Sequence, residues 1–447
     1  MRSVRIGEGA GYSGAWIEPA KELALYGGLN YLVFEALAER TIALRQMEKA
    51  RNPSLGYDPF LEARMAAVLK PCFEQGIRIV TNMGGANPVA AGKKVIECAK
   101  RLGISPFRVA VVEGDDVRDL VEAGKYATLE TGESIEKISD KIVSANAYLG
   151  AAPVAEALDN GVTLVMTGRV ADPSLTLACL MREFKWPSYD WPLLGRGILA
   201  GHLLECSGQV TGGYFADPGY KDVTGLARIG YPIAEVTESG DCTITKVPGS
   251  GGTVTELTCK EQALYEVHDP SAYITPDVVA DFSHVTCTEV APDRVRVAGA
   301  SGRRFPDALK VSIGYRDGYI GEGQISYGGP GALSRAQMAA EITRERFNII
   351  GLKSKELKFD FIGLNSLYGP AQPSPSNDPT EVRLRVAART ETQEEASKVG
   401  NEIEALWLMG PAGGGGATKQ VKEILRIVSI LMPRELIEKR IKISVIE

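Results

Sequence analysis

The amino-acid sequence predicts an α/β protein: an N-terminal doubly wound, mainly parallel sheet, then a β-rich middle region and an α+β C-terminal segment. Short apolar runs alternate with amphipathic stretches up to about residue 212, which is the pattern of repeated strand–helix units. Beyond Gly212 the chain becomes rich in Thr, Val and Gly, and the C-terminal segment mixes both patterns. The predicted domains are residues 1–212, 213–345 and 346–447.

The composition is that of an ordinary folded protein. Of the 447 residues, 44% are hydrophobic and 24% are charged, which excludes a disordered chain, a coiled coil and a collagen-like repeat. The formal net charge of −6 gives no general attraction to nucleic acid or to an anionic membrane. A small-molecule partner is therefore expected, and a nucleic-acid or membrane partner is not.

Three features predict a reduced, cytoplasmic protein. No stretch approaches the ~18 consecutive apolar residues of a membrane span, and the N-terminus lacks the pattern of a signal peptide. The seven cysteines are scattered and form no CxxC pair, which argues against a zinc site or a disulfide framework. With only three histidines in the chain, acid/base chemistry is expected from carboxylates, Lys, Tyr or Cys rather than from a multi-histidine metal centre.

The N-terminal strands are predicted from apolar runs, which suit strands buried on both faces of a parallel sheet. These runs cover residues 4–7, 29–34, 77–82, 107–112 and 162–166. Helices are predicted at 62–75 and 88–102, the second beginning at Asn87-Pro88 and ending at Gly103.

Later elements alternate or mix. Strands are predicted at 242–247 and 294–298, and a strand at 310–319 is predicted to enter a turn at Asp317-Gly318. In the C-terminal segment, helices are predicted at 333–351 and 394–408, strands at 358–364 and 381–389, and a loop at 369–376.

The loop after the first strand contains Gly9-x-Gly11-x-x-Gly14. This spacing resembles a dinucleotide fingerprint, in which glycines let backbone N–H groups approach a phosphate at a helix start. The acidic residue expected about 20 positions further on is represented only by Asn30 or Glu35. Anion binding and a tight strand-to-helix turn are both compatible with this loop.

The loop after the third strand, residues 82–88, is a second candidate anion cradle. Asn82 and Asn87 flank Gly84 and Gly85, and amide groups there would orient a carboxylate or a carbonyl. A loop that needs positive φ, followed by a capped helix, explains the glycines but not Asn82.

Charged side chains follow the next two strands. Asp115 and Asp116 form a carboxylate pair suited to general acid/base work, or else cap the next helix. In Gly168-Arg169-Val170-Ala171-Asp172, the planar guanidinium of Arg169 suits a carboxylate or phosphate, while Asp172 either pairs with it or caps a helix.

A further cluster of polar side chains lies at 205–213. Glu205 and Cys206 are candidate acid/base and nucleophilic groups, although a buried structural cysteine is the commoner outcome. Thr211, Gly212 and Gly213 are expected to close over a ligand. Because the loops after parallel strands meet at one edge of a sheet, these motifs together indicate an enzyme or a small-molecule binder.

These motifs, in this order, resemble the acyclic terpene utilisation (AtuA) family over nearly the whole chain. The first glycine loop, here Gly11-Tyr12-Ser13-Gly14-Ala15-Trp16, is expected to vary with substrate. The segments that carry the resemblance are residues 4–14, 32–35, 80–88, 111–116, 167–175, 265–270 and 410–416.

The resemblance implies a catabolic enzyme, because the family is named for gene clusters that degrade acyclic terpenes such as citronellol and geraniol through CoA thioesters. We expect hydratase or lyase chemistry next to the carbonyl of an acyl-CoA or a related carboxylic acid. In this hypothesis Asp115 or Asp116 is the base, Asn82 and the Gly84-Gly85 amides are donors, Arg169 holds the anion, and Glu205 is a reserve acid.

Two other functional hypotheses stay open. One is a non-catalytic acyl-CoA-binding subunit of a larger catabolic enzyme, and another, resting on the glycine spacing alone, is an NAD(P)-dependent oxidoreductase. A homo-oligomer is expected, and because some family members occur beside a small additional domain, a small separate partner subunit is compatible with the family. Asp115, Asp116 and Asp172 would suit Mg²⁺, but no ligand spacing demands a metal.

Overall fold

The computed structural model describes residues 2–371 and 379–447. The strands are β1 (Ser3–Glu8), β2 (Tyr31–Phe34), β3 (Arg78–Thr81), β4 (Val109–Glu113), β5 (Ile142–Ala147), β6 (Leu164–Thr167), β7 (Pro232–Thr237), β8 (Cys242–Lys246), β9 (Tyr273–Ile274), β10 (Val279–Asp281), β11 (Thr286–Ala291), β12 (Arg294–Ala298), β13 (Ser301–Arg303), β14 (Ala308–Gly328), β15 (Glu356–Ile362), β16 (Glu381–Thr390), β17 (Gly414–Pro433) and β18 (Lys442–Ile446).

The helices alternate with the first strands and are sparser later. They are α1 (Glu18–Tyr26), α2 (Glu39–Arg51), α3 (Leu61–Gln75), α4 (Pro88–Arg101), α5 (Arg118–Ala123), α6 (Ala152–Asp159), α7 (Asp172–Phe184), α8 (Trp191–Glu205), α9 (Glu256–Leu264), α10 (Ala332–Ile349), α11 (Gln393–Met409) and α12 (Arg434–Glu438). Short 3-10 segments cover Ile135–Lys141, Ser207–Gln209, Leu226–Arg228 and Gly369–Ala371.

The predicted α/β fold class is confirmed. Within the described residues, one sheet has the strand order β11-β12-β8-β7-β1-β2-β3-β6-β4-β18. Its central strands β1, β2, β3, β6 and β4 are mutually parallel. The strands on either side, β7 and β18, run antiparallel to their neighbours β1 and β4.

Both faces of the central strands are covered by helices. Alternate residues of β2 belong to different cores: Leu32 and Phe34 pack with residues of α1, α3 and α4, whereas Tyr31 and Val33 pack with residues of α6, α7 and α8. Continuous apolar runs are the expected sequence of strands buried in this way.

Four of the strands that follow Gly212 extend this same sheet on the β1 side. β7, β8, β12 and β11 follow one another in antiparallel pairs from the β1 edge. Two smaller sheets have the orders β13-β10-β9 and β15-β16-β14-β17, and β5 also pairs with β14.

The chain divides into two compact units. One contains residues 1–314 and 427–447, and the other contains residues 315–426. In the second unit, α10 and α11 pack against β16. The domain boundaries predicted at residues 212 and 345 stay predictions.

The structure differs from one prediction for the later part of the chain and covers only part of another. The turn predicted at Asp317-Gly318 is wrong, because β14 continues to Gly328 and Gly318 adopts φ +80° within it. Glycine permits this local bend without ending the strand. Most of the loop predicted at 369–376 lies outside the described residues. Among the described residues, no helix is long and apolar enough to cross a membrane.

Candidate active site

Polar side chains gather where the central parallel strands end. Glu8 is the last residue of β1, Glu35 and Asn82 directly follow β2 and β3, and Asp115 and Arg169 lie two residues after β4 and β6. All five side chains are buried. The carboxyl edge of a parallel sheet is where ligands bind in open α/β folds.

Arg169 lies at the centre of this group. Its side chain is 1% exposed, its Nη2 donates to Asp172 Oδ1 at 2.8 Å, and its guanidinium stacks 4.1 Å from the ring centroid of Tyr148. Its Nε and Nη1 are buried and have no hydrogen-bond partner in the described part of the chain. An arginine stays charged in proteins, so these two nitrogen atoms are strong hydrogen-bond donors that a ligand could satisfy.

Asp115 fixes the loop that carries Arg169. Its Oδ2 accepts hydrogen bonds from the Arg169 backbone N–H (2.9 Å) and from Asn146 Nδ2 (2.8 Å). A Cβ on Gly168 would lie 2.5 Å from Asp115 Oδ1, so only glycine allows this close approach. Burial raises the pKa of Asp115 to about 6, although these hydrogen bonds oppose the rise.

Asn82 holds Glu35 in place. Its Nδ2 donates to Glu35 Oε1 and its Oδ1 accepts from the backbone N–H of Ala36, both at 2.8 Å. Glu35 Oε1 also accepts from the backbone N–H of Leu37 at 2.8 Å, and Glu8 Oε1 accepts from the backbone N–H of Glu35 at 2.9 Å. The carboxyl groups of Glu8 and Glu35 and the amide of Asn82 therefore tie together the segments that follow β1, β2 and β3.

Glu205 forms a dyad with His202 on α8. His202 Nδ1 lies 2.7 Å from Glu205 Oε1, and both residues are buried. His202 Nε2 and Glu205 Oε2 are buried without a partner in the described residues. The spacing of three residues along a helix brings the two side chains onto one face.

The carboxyl groups share one electrostatic neighbourhood. Burial raises the pKa of Glu8, Glu35 and Asp172, and the negative charge of Glu205 adds to the rise in each case. Arg169 opposes the rise at Glu35 and Asp172. A carboxyl group whose pKa is raised by burial holds its proton more readily than an exposed one, which suits it to general acid or base work.

Glu39, at the start of α2, behaves differently. Burial alone would raise its pKa, but the charge of Arg169 and a hydrogen bond from the Tyr148 hydroxyl lower it to about 2. Lys310 Nζ also donates to Glu39 Oε1 at 3.2 Å. Glu39 is thus a fixed negative charge that partly balances Arg169.

A cavity of about 290 Å³ opens beside this group. Its polar lining comes from Tyr148, Asp172, Tyr273 and Lys310, and the remaining lining is mainly Pro, Ala, Leu and Ile. Apolar walls with a few convergent polar groups are typical of a small-molecule site.

The structure therefore gathers one part of the sequence-predicted set. Asn82, Asp115, Gly168, Arg169, Asp172 and Glu205 all belong to this site. Gly11 also approaches it, since a Cβ there would lie 2.5 Å from the Cys206 backbone carbon. Burial raises the pKa of the Cys206 thiol, which does not favour a thiolate nucleophile.

The other predicted residues make separate contacts. Asp116 is exposed and accepts from Gln46 Nε2 at 2.9 Å, and Asn87 Nδ2 donates to the carbonyls of Pro53 and Leu55. Gly84 packs against the Thr167 carbonyl, and Gly85 against the Gly56 carbonyl.

The glycines of the dinucleotide-like spacing do not open a helix. Gly9 continues the pairing with β2 through a hydrogen bond from its N–H to the Val33 carbonyl, and a Cβ on Gly14 would lie 2.6 Å from the Tyr12 ring. Gly14 precedes the first residue of α1 by four positions. A dinucleotide fingerprint would place its last glycine inside the start of that helix.

Thr211, Gly212 and Gly213 form a tight turn. Thr211 Oγ1 donates to the Gly230 carbonyl at 2.7 Å, Gly212 adopts φ +105°, and the Gly213 N–H donates to the Gly208 carbonyl at 2.9 Å. In the described chain this turn contacts protein rather than covering the Arg169 cavity.

Sequence reasoning did not select six residues of the site: Glu8, Glu39, Tyr148, His202, Tyr273 and Lys310. Two of them carried a usable signal. Glu8 directly precedes the first glycine loop, and His202 lies three residues before Glu205 within a helix. Tyr148, Tyr273 and Lys310 come from distant parts of the chain, and only the folded structure brings them together.

Metal binding has no preformed cluster here. Among the described residues, no group of three or more His, Cys, Asp or Glu side chains is arranged to hold a metal ion. The three aspartates considered for Mg²⁺ have other contacts: Asp115 holds a loop, Asp116 is exposed, and Asp172 pairs with Arg169.

Comparison with known proteins gives one finding. The family model described as "Acyclic terpene utilisation family protein AtuA" matches residues 4–443. No curated protein and no solved structure matches the chain.

Proposed function

Because the chain belongs to the AtuA family of acyclic terpene utilisation proteins, we propose that it is a catabolic enzyme acting on an acyl-CoA or a related carboxylic acid. Family membership itself indicates a role in acyclic terpene utilisation. The proposed reaction is hydration, dehydration or C–C cleavage next to a carbonyl group.

The observation that carries this proposal is that two hydrogen-bond donors of the Arg169 guanidinium lack an acceptor in the described residues. Its Nε and Nη1 are buried and have no hydrogen-bond partner among residues 2–371 and 379–447, and leaving such donors without an acceptor costs free energy. A carboxylate or a thioester carbonyl entering the site would supply the acceptor. The same two donors would stabilise the negative charge that develops on that oxygen when a proton leaves the carbon next to the carbonyl group.

Glu205 is the proposed acid/base group. His202 Nδ1 lies within hydrogen-bond distance of Glu205 Oε1, and Glu205 Oε2 is buried without a partner in the part of the chain that the structure describes. In a hydration, the carboxylate would take a proton from the attacking water or return one to the carbon next to the carbonyl. In this assignment the role of Asp115 is to position Arg169. A base at Asp115 or Asp116, as predicted from the sequence, stays an alternative, and variants of these residues and of Glu205 would distinguish the two assignments.

The cavity supports a ligand with an apolar chain and a polar head. Asp172 and Tyr148 contact Arg169 and also line the cavity, so a ligand in the cavity would approach the guanidinium. The apolar remainder of the lining would contact an aliphatic chain.

The first test is a thermal-shift screen with CoA, branched acyl-CoAs, free dicarboxylic acids, NAD and NADP, followed by turnover assays on the ligands that bind. Ligands that bind only the folded state raise the melting temperature. Stabilisation by an acyl-CoA or an acid, with turnover, is the expected result. A shift with NAD or NADP alone would overturn the proposal in favour of an oxidoreductase.

Two variants test the assigned roles. Arg169→Lys keeps the charge but loses the planar fork, and Glu205→Gln keeps the size of the side chain but cannot accept a proton. We expect each to reduce kcat/KM by 10²–10⁴-fold, the usual range for such groups. The matched controls are Arg182→Lys and Glu183→Gln, a hydrogen-bonded pair at the end of α7 outside the site, which should stay within about twofold of the parent.

The alternative of a non-catalytic subunit makes a different prediction. A chain that binds acyl-CoA without turnover, and whose Glu205→Gln variant still supports the pathway, would fit an acyl-CoA-binding subunit. The proposal also includes a cytoplasmic location, a homo-oligomer and a small separate partner subunit. Light scattering coupled to gel filtration tests the oligomer directly.

A further inference from the structure

A second cavity lies near the carboxyl end of β1. It has a volume of about 590 Å³ and is lined by the loop at Gly11–Trp16 and by Cys206, the residue that follows Glu205. A neighbouring cavity of about 580 Å³ shares Trp16 and Ile229 with it. The two cavities together are called the aromatic groove below.

Aromatic rings dominate the first half of the groove. Tyr12, Trp16, Tyr214, Tyr231 and Tyr265 all line it. Tyr12 is 65% exposed, Trp16 is 54% exposed and Tyr214 is 82% exposed. Large rings left open to water around one cavity are suited to stacking on a flat ligand ring.

The backbone around these rings is strained. Ser207 and Tyr214, which line the groove, have φ values of +50° and +61°, and Glu266, next to Tyr265, has φ +59°. These are three of the five non-glycine residues with positive φ in the described chain. Such conformations cluster at functional sites because the surrounding structure must hold them in place.

Polar and charged groups complete the groove. Gln209 Nε2 is buried without a hydrogen-bond partner among the described residues, and Gln209 lines the first cavity. Lys21 and Arg228 line the second cavity, together with Glu18 and Glu22. The described residues supply neither Lys21 nor Arg228 with an ion pair, so both cations are available to a phosphate.

We infer that the aromatic groove binds an adenine nucleotide, with the base stacked among the tyrosines and Trp16 and the phosphates directed to Lys21 and Arg228. A planar purine fits the open rings, the Gln209 amide donates to a ring nitrogen, and the cations fit the diphosphate. CoA and NAD both carry this group. That the ligand is CoA rather than NAD rests on the proposed function. The inference that an adenine nucleotide binds here does not rest on it.

The test is calorimetric titration of the full chain with ADP, then with CoA and NAD. We expect saturable binding of ADP, with the dissociation constant raised at least tenfold by Trp16→Ala or Tyr214→Ala. Arg228→Glu should weaken ADP binding at least tenfold and adenosine binding less than threefold, because adenosine has no phosphate. Tyr220→Ala, at a ring that is 89% exposed and outside the groove, is the control and should leave the affinity for ADP unchanged.

The outcomes are separable from those of the proposed function. Arg169→Lys should reduce kcat/KM by the 10²–10⁴-fold expected above and leave ADP affinity within twofold, since Arg169 does not line the groove. Displacement of ADP by CoA and not by NAD identifies a CoA ester as the ligand, and the reverse identifies a dinucleotide. Absence of ADP binding, or ADP binding that all three groove variants leave unchanged, would overturn the inference.

Discussion

Single residues at the sheet edge act mainly by fixing one another. Arg169 is placed by a hydrogen bond from its own backbone to Asp115, by the ring of Tyr148 and by an ion pair with Asp172. The sequence indicated Arg169 and Asp115 because each follows a buried strand. It could not indicate that Asp115 binds the Arg169 backbone, because that contact depends on the spatial neighbourhood of β4 and β6.

The raised pKa of Asp115 gives a pH-dependent prediction. The folded state binds this proton more tightly than the unfolded state, with pKa values of about 6 and 3.8. The group therefore lowers the free energy of unfolding as the pH rises from about 4 to about 6, by on the order of 3 kcal/mol in total. Asp115→Asn keeps an acceptor oxygen and removes this titration.

Chemical denaturation at pH 4 and pH 7 measures the effect. The parent should lose about 2–3 kcal/mol of unfolding free energy relative to Asp115→Asn when the pH is raised from 4 to 7. Asp116→Asn, at the exposed neighbour, is the matched control and should show a much smaller change. A difference for Asp115→Asn that is the same at both pH values would contradict the prediction.

At the scale of elements, the sequence was most informative where a pattern is local. The five N-terminal runs all became central strands, and the helices predicted at 62–75 and 88–102 became α3 and α4. Helix α8 was harder to predict because it contains Gly195, Gly197 and Gly201. The fold uses Gly201 for close packing, since the Pro173 backbone of α7 occupies the space of a Cβ there.

One helix of the core is capped from a distant loop. The Ala151 backbone N–H, just before α6, donates to Asp277 Oδ1 at 2.7 Å, and the Ser174 hydroxyl donates to Asp277 Oδ2 at 2.5 Å. Asp277→Ala would leave both donors without this acceptor. We expect a loss of about 2–4 kcal/mol in unfolding free energy, since each unmatched buried donor costs about 1–3 kcal/mol.

Asp269→Ala is the matched control for this capping contact. Asp269 also accepts hydrogen bonds from a backbone N–H and a serine hydroxyl, both of Ser271, but at an exposed site. The control should cost less than about 1 kcal/mol, because water replaces the lost acceptor. Equal losses in the two variants, measured by denaturant titration, would show that Asp277 has no special capping role.

At the scale of the whole molecule, topology exceeded what local patterns can specify. Alternating strand and helix patterns correctly indicated a parallel sheet, but they do not specify that β7, β8, β12 and β11 extend it or that β18 closes its other side. These pairings join residues far apart in sequence, for example Ile443 with Val112. The Asp317-Gly318 pattern failed for a related reason, because pairing with β16 carries β14 beyond this bend.

The two compact units contain separate hydrophobic cores, and this separation can be tested. Leu384 is fully buried in the core of residues 315–426, among Ile325, Val386 and Ile403. Leu384→Ala should lower the free energy of unfolding by about 2–5 kcal/mol, because it leaves a cavity where the removed methyl groups had packed. Because the core residues around β1–β6 belong to other clusters, the loss of stability should be confined to the 315–426 unit.

Hydrogen exchange measures this difference. For Leu384→Ala, exchange should accelerate in β16 and α11 and stay unchanged in β2 and β3, whereas the control Leu32→Ala should accelerate exchange in β2 and β3. Equal acceleration in both units by Leu384→Ala would mean that the cores unfold as one.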